Sequence, residues 1–130
     1  MNTILTKLTQ LTVGLLYIGE SEFPFEIFDY DVANDDAIKS NIQKNYGSAG
    51  DITSLKTKDF FDNYINRLFT SGDEIMMADI SKYKALQSFI DANFNSSTVY
   101  RYGTIKVGIY IVCKTKTGQV FVLKTYTIET

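Results

Sequence analysis

The segment that decides the fold is residues 99–129, which read VYRYGTIKVGIYIVCKTKTGQVFVLKTYTIE. It is rich in Val, Ile, Tyr and Thr, the residue types that favour strands. Strands are predicted at residues 99–102, 105–114 and 119–129. The Thr115-Lys116-Thr117-Gly118 sequence supplies a hairpin turn between the last two strands, with glycine where a positive φ is expected. The segment therefore predicts a three-stranded antiparallel meander.

Helices are predicted upstream of this meander. Apolar residues recur at helical spacing near the N-terminus, so residues 3–14 are expected to form an amphipathic helix that stops near Gly14. Thr57 is expected to cap a second helix. The Ser71-Gly72-Asp73-Glu74 sequence fits a capping box, which predicts the start of a third helix that continues to about Asn93.

The remaining segments complete the expected architecture. Residues 25–32 mix apolar and acidic residues of strand-favouring types, with Pro24 at the start of the predicted strand. A short helix is predicted at residues 36–44, followed by a turn-rich loop at residues 46–51. This order of elements is typical of an α+β fold with helices packed on an antiparallel sheet. A chain of 130 residues is expected to form one domain, residues 1–130.

The composition excludes several classes of site. The sequence has no histidine, so Ser-His and Cys-His catalysis and His-ligated zinc sites are impossible. A single cysteine, Cys113, permits no internal disulfide and is expected to be a small buried hydrophobe. No resident cofactor is predicted. No run approaches the roughly 18–20 consecutive apolar residues that a membrane-spanning helix needs. Residues 4–16 lack the pattern of a signal peptide. A cytoplasmic location without membrane contact is therefore expected.

The charges are unevenly distributed. Between Leu8 and Ile38 there are seven acidic residues and no Lys or Arg, so this segment carries −7 and the rest of the chain +5, which gives the net −2. Such a segment is either a solvated face or a surface that attracts a basic partner, because grouped acids raise a negative potential. Direct binding of nucleic acid by this face is disfavoured, since it would repel phosphates.

Two groups of oxygen-bearing residues are candidates for function. Glu20, Ser21 and Glu22 begin an acidic stretch before the strand, and two carboxylates there would suit acid–base chemistry, although one short loop seldom gives them different environments. The other candidate is the end of the sequence, Glu129 and Thr130. A terminal carboxylate beside a threonine hydroxyl offers hard oxygen ligands of the kind that Mg²⁺ takes. The alternative interpretation is that these residues have no binding role and are frayed, as the ends of most domains are.

These residues give the sequence a resemblance to the nuclease A inhibitor family, whose members inhibit sugar-non-specific DNA/RNA nucleases. Residues 14–28 read GLLYIGESEFPFEIF, where the family reads GLL, an aromatic residue and then SESE-aromatic-PFE. Residues 99–130 form the second block and end in Ile128-Glu129-Thr130, where the family ends in V-E-T. A thinner similarity, at Phe60-Phe61 and residues 82–93, joins these blocks in the same order.

The resemblance implies a three-layer α/β/α sandwich around an antiparallel sheet. It also implies a non-enzymatic function, in which the terminal threonine, here Thr130, places its hydroxyl and carboxylate on the catalytic Mg²⁺ of a nuclease. A glutamate of the SES segment, here Glu20, contacts arginines in the nuclease cleft. The implied partner is a Mg²⁺-dependent non-specific endonuclease bound one to one, with the inhibitor monomeric when free. Ser21, Glu22 and Glu129 flank these residues and are predicted to join the contact.

Two departures from the family pattern affect the predicted site. The family uses a tryptophan in the loop before the long helix, whereas this sequence has no Trp and places Phe69 or Thr70 there. Phe69 is therefore the expected aromatic anchor, with less area to bury than Trp. Residues 33–56 do not match the family pattern. Two other functions stay open: a module of the same fold that binds another basic protein without metal chelation, and a small hydrolase using Glu20 and Glu22.

Overall fold

A computed structural model describes residues 3–30, 38–40 and 52–129 of the chain. These residues form a mixed α and β fold, which confirms the predicted class. Residues 38–40 are helical. In chain order, the other elements are α1 (Thr3–Thr12), β1 (Leu16–Ile18), β2 (Glu22–Pro24), β3 (Glu26–Tyr30), β4 (Thr53–Lys56), α2 (Thr57–Thr70), α3 (Glu74–Met77), α4 (Ile80–Asn93), β5 (Ser96–Tyr102), β6 (Lys106–Lys114) and β7 (Val120–Ile128).

The main sheet is antiparallel throughout, with strand order β3-β7-β6-β5-β4. The predicted meander is confirmed as β5, β6 and β7, and Ile111 at its centre pairs with Val99 on one side and Leu123 on the other. The turn between β6 and β7 has Gly118 at φ +90°, a backbone conformation that favours glycine. The edge strand β4 and the β1–β2 hairpin were not predicted, because strands of three or four residues give almost no periodic signal.

The start of α2 differs from the prediction. Thr57 is the first helical residue rather than the cap, and the N-cap is Lys56, which makes no side-chain capping bond. The reason is that β4 leads directly into α2, so the last strand residue occupies the cap position. Thr57 is consequently turned into the interior, and its buried hydroxyl has no hydrogen-bond partner among the described residues.

The predicted capping box at residues 71–74 is also wrong. The Ser71 hydroxyl donates to the Leu68 carbonyl at 2.7 Å, so Ser71 ends α2 instead of starting the next helix. Asp73 is the true cap of α3, because its carboxylate accepts from the Ile75 and Met76 amides at 2.8 and 3.2 Å. The single helix expected up to Asn93 is divided into α3 and α4 by residues 78–79.

The N-terminal predictions hold more closely. The first helix is confirmed as α1 and is followed by Gly14 at φ +72°. The predicted strand at 25–32 corresponds to β3, although Pro24 closes β2 rather than opening β3. Of the helix expected at residues 36–44, residues 38–40 are helical; the remainder, and the predicted loop at 46–51, lie outside the described residues.

Alternation along the strands places a hydrophobic cluster on each face of the sheet. The larger cluster joins β5, β6 and β7 to α1, α2 and α4, and its fully buried members include Leu8, Phe61, Leu68, Leu86, Ile111, Phe121 and Leu123. The other face carries Tyr100, Tyr102, Tyr110, Val112, Val120 and Val122, together with buried Ile38. Burying each large apolar side chain contributes roughly 1.5–3 kcal/mol. Most of the apolar residues that recur at helix or strand spacing in the sequence belong to these two clusters.

The structure also bears on the predictions for Cys113 and for membrane-spanning segments. Cys113 is fully buried in the larger cluster, as predicted, and burial raises the pKa of its thiol to about 12. Within the described part of the chain, no helix has the length and apolar character needed to cross a membrane.

Adjacent residues of α2 give a matched test of this core. Leu68 is 0% exposed and Phe69 is 65% exposed. We expect Leu68→Ala to lower the free energy of unfolding by about 2–5 kcal/mol, because it leaves a cavity among close-packed side chains. Phe69→Ala is the control and should change it by roughly 0.5 kcal/mol or less. Urea denaturation measures both values, and equal losses would contradict the burial described for α2.

Candidate functional site

Three of the predicted site residues lie in the β1–β2 hairpin. The strands pair with Leu16 opposite Pro24 and Ile18 opposite Glu22. The connecting turn is closed by a bond from the Gly19 amide to the Ser21 carbonyl at 3.0 Å. Glu20, Ser21 and Glu22 are all exposed in this turn and at the start of β2. The sequence GESE thus forms one projecting acidic turn.

Buried tyrosines hold this hairpin against the helices. The Tyr83 hydroxyl donates to the Leu16 carbonyl at 2.7 Å, and the Ile18 amide donates to the Tyr64 hydroxyl oxygen at 2.9 Å. Between them, the Tyr17 ring stacks on Tyr64 with centroids 4.5 Å apart. Burial raises the pKa of both hydroxyls above the usual value for tyrosine, which favours their neutral form. A two-stranded hairpin is marginal alone, and these contacts fix its position.

The hairpin turn lies beside the C-terminal end of β7. A Cβ atom added at Gly19 would come within 2.7 Å of the Thr127 Oγ1 atom, so the Gly19 backbone lies against the Thr127 side chain. The Thr125 hydroxyl donates to the Phe23 carbonyl at 3.3 Å, and the Phe23 and Tyr126 rings lie 5.6 Å apart. The turn that carries the predicted acids is therefore adjacent to the strand that leads to Glu129.

The backbone is anchored directly after the end of β7. The Glu129 amide donates to the Ile105 carbonyl at 2.8 Å, one residue past the end of β7. Its carboxylate forms an ion pair with Arg101 of β5. Thr130, the predicted metal-binding residue, lies outside the described residues. The strand nevertheless brings the chain to within one residue of it.

A cavity of about 310 Å³ opens between the hairpin, α2 and the end of β7. Two arginines in its lining, Arg67 and Arg101, were not found by sequence reasoning. Arg67 donates to the Ile18 carbonyl, and its guanidinium lies 4.7 Å from the Tyr64 ring centroid. The full lining is Tyr17, Leu55, Phe60, Asn63, Tyr64, Arg67, Arg101 and Glu129.

One signal in the sequence could have identified Arg101. Arg101 follows Val99 by two residues, so the two side chains lie on the same face of the predicted strand. That face packs against the larger hydrophobic cluster. A charge on that face needs a partner, since an unpaired charge is costly there. No comparable signal marks Arg67, because Ile18, whose carbonyl accepts its hydrogen bond, is 49 positions away in the chain.

Comparison with known protein families identifies the class to which the chain belongs. The nuclease A inhibitor-like protein family matches residues 2–130. The chain belongs to this family. The match covers essentially the whole chain, including the part at residues 33–56 that the motif blocks left out. Membership indicates a nuclease-inhibitor role and a nuclease as the partner. No individual curated protein matches the chain.

In this nuclease A inhibitor-like protein, the acidic residues of the candidate site lie at the surface. The exposed carboxylates of Glu20, Glu22 and Glu129 belong to segments that meet along β7. Among the residues placed by the structure, no three Asp, Glu or Cys side chains converge into a site that could hold a metal ion.

The other predicted contacts of this family member are at the end of α2. Phe69 is well exposed, and the Thr70 hydroxyl donates to the Asn66 carbonyl at 3.0 Å. Ile75 and Met77, in the short helix that follows, are exposed apolar neighbours along the chain. The structure thus places Phe69 and Thr70 on the helix that supports the hairpin, but gives them no direct contact with the acidic turn among its described interactions.

The close approach at Gly19 can be tested by adding a methyl group. We expect Gly19→Ala to lower the free energy of unfolding by about 1–3 kcal/mol, because the new Cβ would overlap the Thr127 hydroxyl. Combining it with Thr127→Ala makes room, so the double variant should lose at least about 0.5 kcal/mol less than the sum of the single losses. Thermal or urea denaturation measures the cycle. Strict additivity would mean that the hairpin turn does not touch β7.

Proposed function

We propose that this protein inhibits a Mg²⁺-dependent non-specific DNA/RNA nuclease by inserting the hairpin turn and the end of the chain into the active-site cleft. The observation that carries the proposal is the contact between Gly19 and Thr127, which puts the two segments side by side. Family membership supports the class of partner. A single surface built from both segments suits one nuclease molecule per inhibitor, bound by a monomer.

Thr130 is assigned the central role in this proposal. In a chain that ends at Thr130, the hydroxyl and the terminal carboxylate are oxygen ligands that replace water on the nuclease's Mg²⁺, as a substrate phosphate would. The backbone bond from Glu129 to Ile105 supports this role, because it anchors the residue directly before Thr130. The metal belongs to the nuclease, and the inhibitor carries no cofactor of its own.

Glu20 is assigned to arginine side chains of the nuclease cleft. A carboxylate at the tip of a projecting turn can accept two parallel bonds from a guanidinium, as a phosphodiester does. Ser21 and Glu22 extend the same oxygen-rich surface. The acidic hairpin also favours capture by a cleft that attracts polyanions, and it disfavours direct nucleic-acid binding by the inhibitor.

Phe69 and Thr70 are assigned to the edge of the contact. The 65% exposure of Phe69 leaves most of an aromatic ring available for burial by a partner. Aromatic residues are typical anchors of protein interfaces because they bury a large area at a small cost in conformational entropy. Phe69 would take the place of the tryptophan that other family members use.

We further propose that the chain is one domain with three layers. The support is the distribution of buried residues on both faces of the sheet. Helices α1, α2 and α4 cover one face, while Ile38, from helical residues 38–40, is fully buried in the cluster on the other. A helix at that position would form the third layer of an α/β/α sandwich.

Thr130 gives the most direct test. Inhibition of a Mg²⁺-dependent non-specific nuclease should be abolished in protein that ends at Glu129 and in protein with a C-terminal extension past Thr130. Thr130→Val, which keeps the carboxylate and removes the hydroxyl, should weaken inhibition less. Titrated digestion of DNA measures each form, and unchanged thermal unfolding serves as the control for folding.

Dependence on Mg²⁺ distinguishes the proposal from its alternative. Binding to a catalytically silent nuclease should weaken when a chelator strips Mg²⁺, because ligand bonds to the metal are lost. Binding that is indifferent to chelator and to the loss of Thr130 would indicate a module that recognises a basic surface without metal chelation. Hydrolysis of a substrate by the protein alone would instead support the carboxylate-pair enzyme.

Glu20 provides a separate test of the acidic turn. We expect Glu20→Ala to weaken inhibition by about 2–4 kcal/mol, because it leaves cleft arginines without an anionic partner. Asp91→Ala removes the same charge from an exposed position on α4 and is the matched control. Inhibition constants measured at one ionic strength compare the two. Equal effects would show that general charge, rather than the turn, is responsible.

A further inference from the structure

We propose that Arg101 and Arg67 are positioning residues that hold the end of β7 and the hairpin turn in fixed relation before a nuclease binds. The inference deepens the proposed function and rests on it for its effect on inhibition. Both arginines line the same 310 Å³ cavity, and each contacts one of the two segments. The free protein would then already have the shape of its bound state.

Arg101 acts on the end of the chain. It lies on β5, which is separated from β7 by β6, so its side chain spans a strand to reach the Glu129 carboxylate. Apart from the ion pair, the hydrogen bond described for Glu129 is the one from its amide to Ile105. The last residues of a domain are mobile unless something restrains them. The Arg101–Glu129 ion pair supplies a second restraint, directly before Thr130.

Arg67 acts on the hairpin. Its guanidinium donates to the Ile18 carbonyl, two residues before Glu20, and lies over the Tyr17 and Tyr64 rings at 5.4 and 4.7 Å. A cation above an aromatic ring is attracted by the negative face of the ring. The tyrosine hydroxyls hold the backbone at Leu16 and Ile18 from the buried side, and Arg67 holds Ile18 from the cavity side.

The two arginines also affect each other, because they line the same cavity. Two guanidinium groups in one cavity repel, and Glu129 provides the carboxylate there. The Arg101–Glu129 pair is partly exposed, with side chains 34% and 51% accessible. Exposed ion pairs add little to global stability. The pair is therefore better suited to fixing a local geometry, which lowers the ordering cost of binding.

Arg101→Gln tests the first half of the inference. The amide order parameter of Glu129, measured by NMR relaxation on the free protein, should fall from the rigid range near about 0.85 to below about 0.6. Inhibition should weaken about tenfold, while the midpoint of thermal unfolding stays nearly unchanged. Arg101→Lys should restore part of both. Lys58→Gln breaks another exposed ion pair, with Asp62 on α2, and should change none of these readouts.

Arg67→Met tests the second half, because it keeps the side-chain stem and removes the guanidinium. Order parameters at Gly19 and Ser21 should fall, whereas that of Glu129 should not. If Arg67→Met does not fold, Arg67→Gln, which also removes the charge, replaces it, with the same amides as the readout. Unchanged order parameters in the folded Arg67 variant would overturn the role assigned to Arg67.

The experiment separates failure of the inference from failure of the proposed function. If the parent protein fails to inhibit but Arg101→Gln mobilises Glu129, the positioning role stands and the proposed function does not. If Arg101→Gln weakens inhibition with Glu129 still rigid, Arg101 contacts the nuclease itself and the inference is overturned. In protein lacking Thr130, Arg101→Gln should cause no further loss of binding; a full additional loss would likewise overturn it.

Discussion

The hydrogen bonds from two buried tyrosines to the β1 backbone are the constraint on which the proposed inhibitory surface depends. Tyr83 on α4 binds the Leu16 carbonyl and Tyr64 on α2 binds the Ile18 amide, so two helices hold one strand of three residues. Burial favours the neutral form of both hydroxyls by raising their pKa. Without these bonds, a short hairpin has little reason to stay in one place, since its own pairing is marginal.

The sheet provides the matching constraint on the other segment. β7 lies between β3 and β6, so it is paired along both edges over most of its length and is rigidly placed. Its C-terminal end extends past the last residue paired with β3, and there the hairpin approaches it through Gly19 and Phe23. β7 is thus part of the core at Phe121 and Leu123, and the residue that follows it, Glu129, lies at the surface.

What could be predicted from the sequence depends on how far apart in the chain the interacting residues are. The meander and α1 were predictable, because alternation at residues 105–114 and helical spacing at residues 3–14 are local patterns. Ser71 and Asp73 show the limit of local patterns: both residues cap, but at different helices, and the choice depends on where α2 ends. The acidic turn was predictable as a candidate from composition and resemblance. Arg67 and Arg101 were missed, because the groups to which they donate hydrogen bonds, on Ile18 and Glu129, are distant in sequence and only folding brings them together.

The contact between the hairpin and β7 has a thermodynamic consequence. The hydroxyl of Thr125 and the carbonyl of Phe23 are 102 positions apart, so their hydrogen bond closes a loop that spans most of the sequence. Closing so long a loop is an entropic cost that only a complete core offsets. The proposed inhibitory surface is therefore discontinuous in sequence and exists only in molecules that have folded cooperatively. Inhibitory capacity would then decline in parallel with the native population as the protein is heated or denatured.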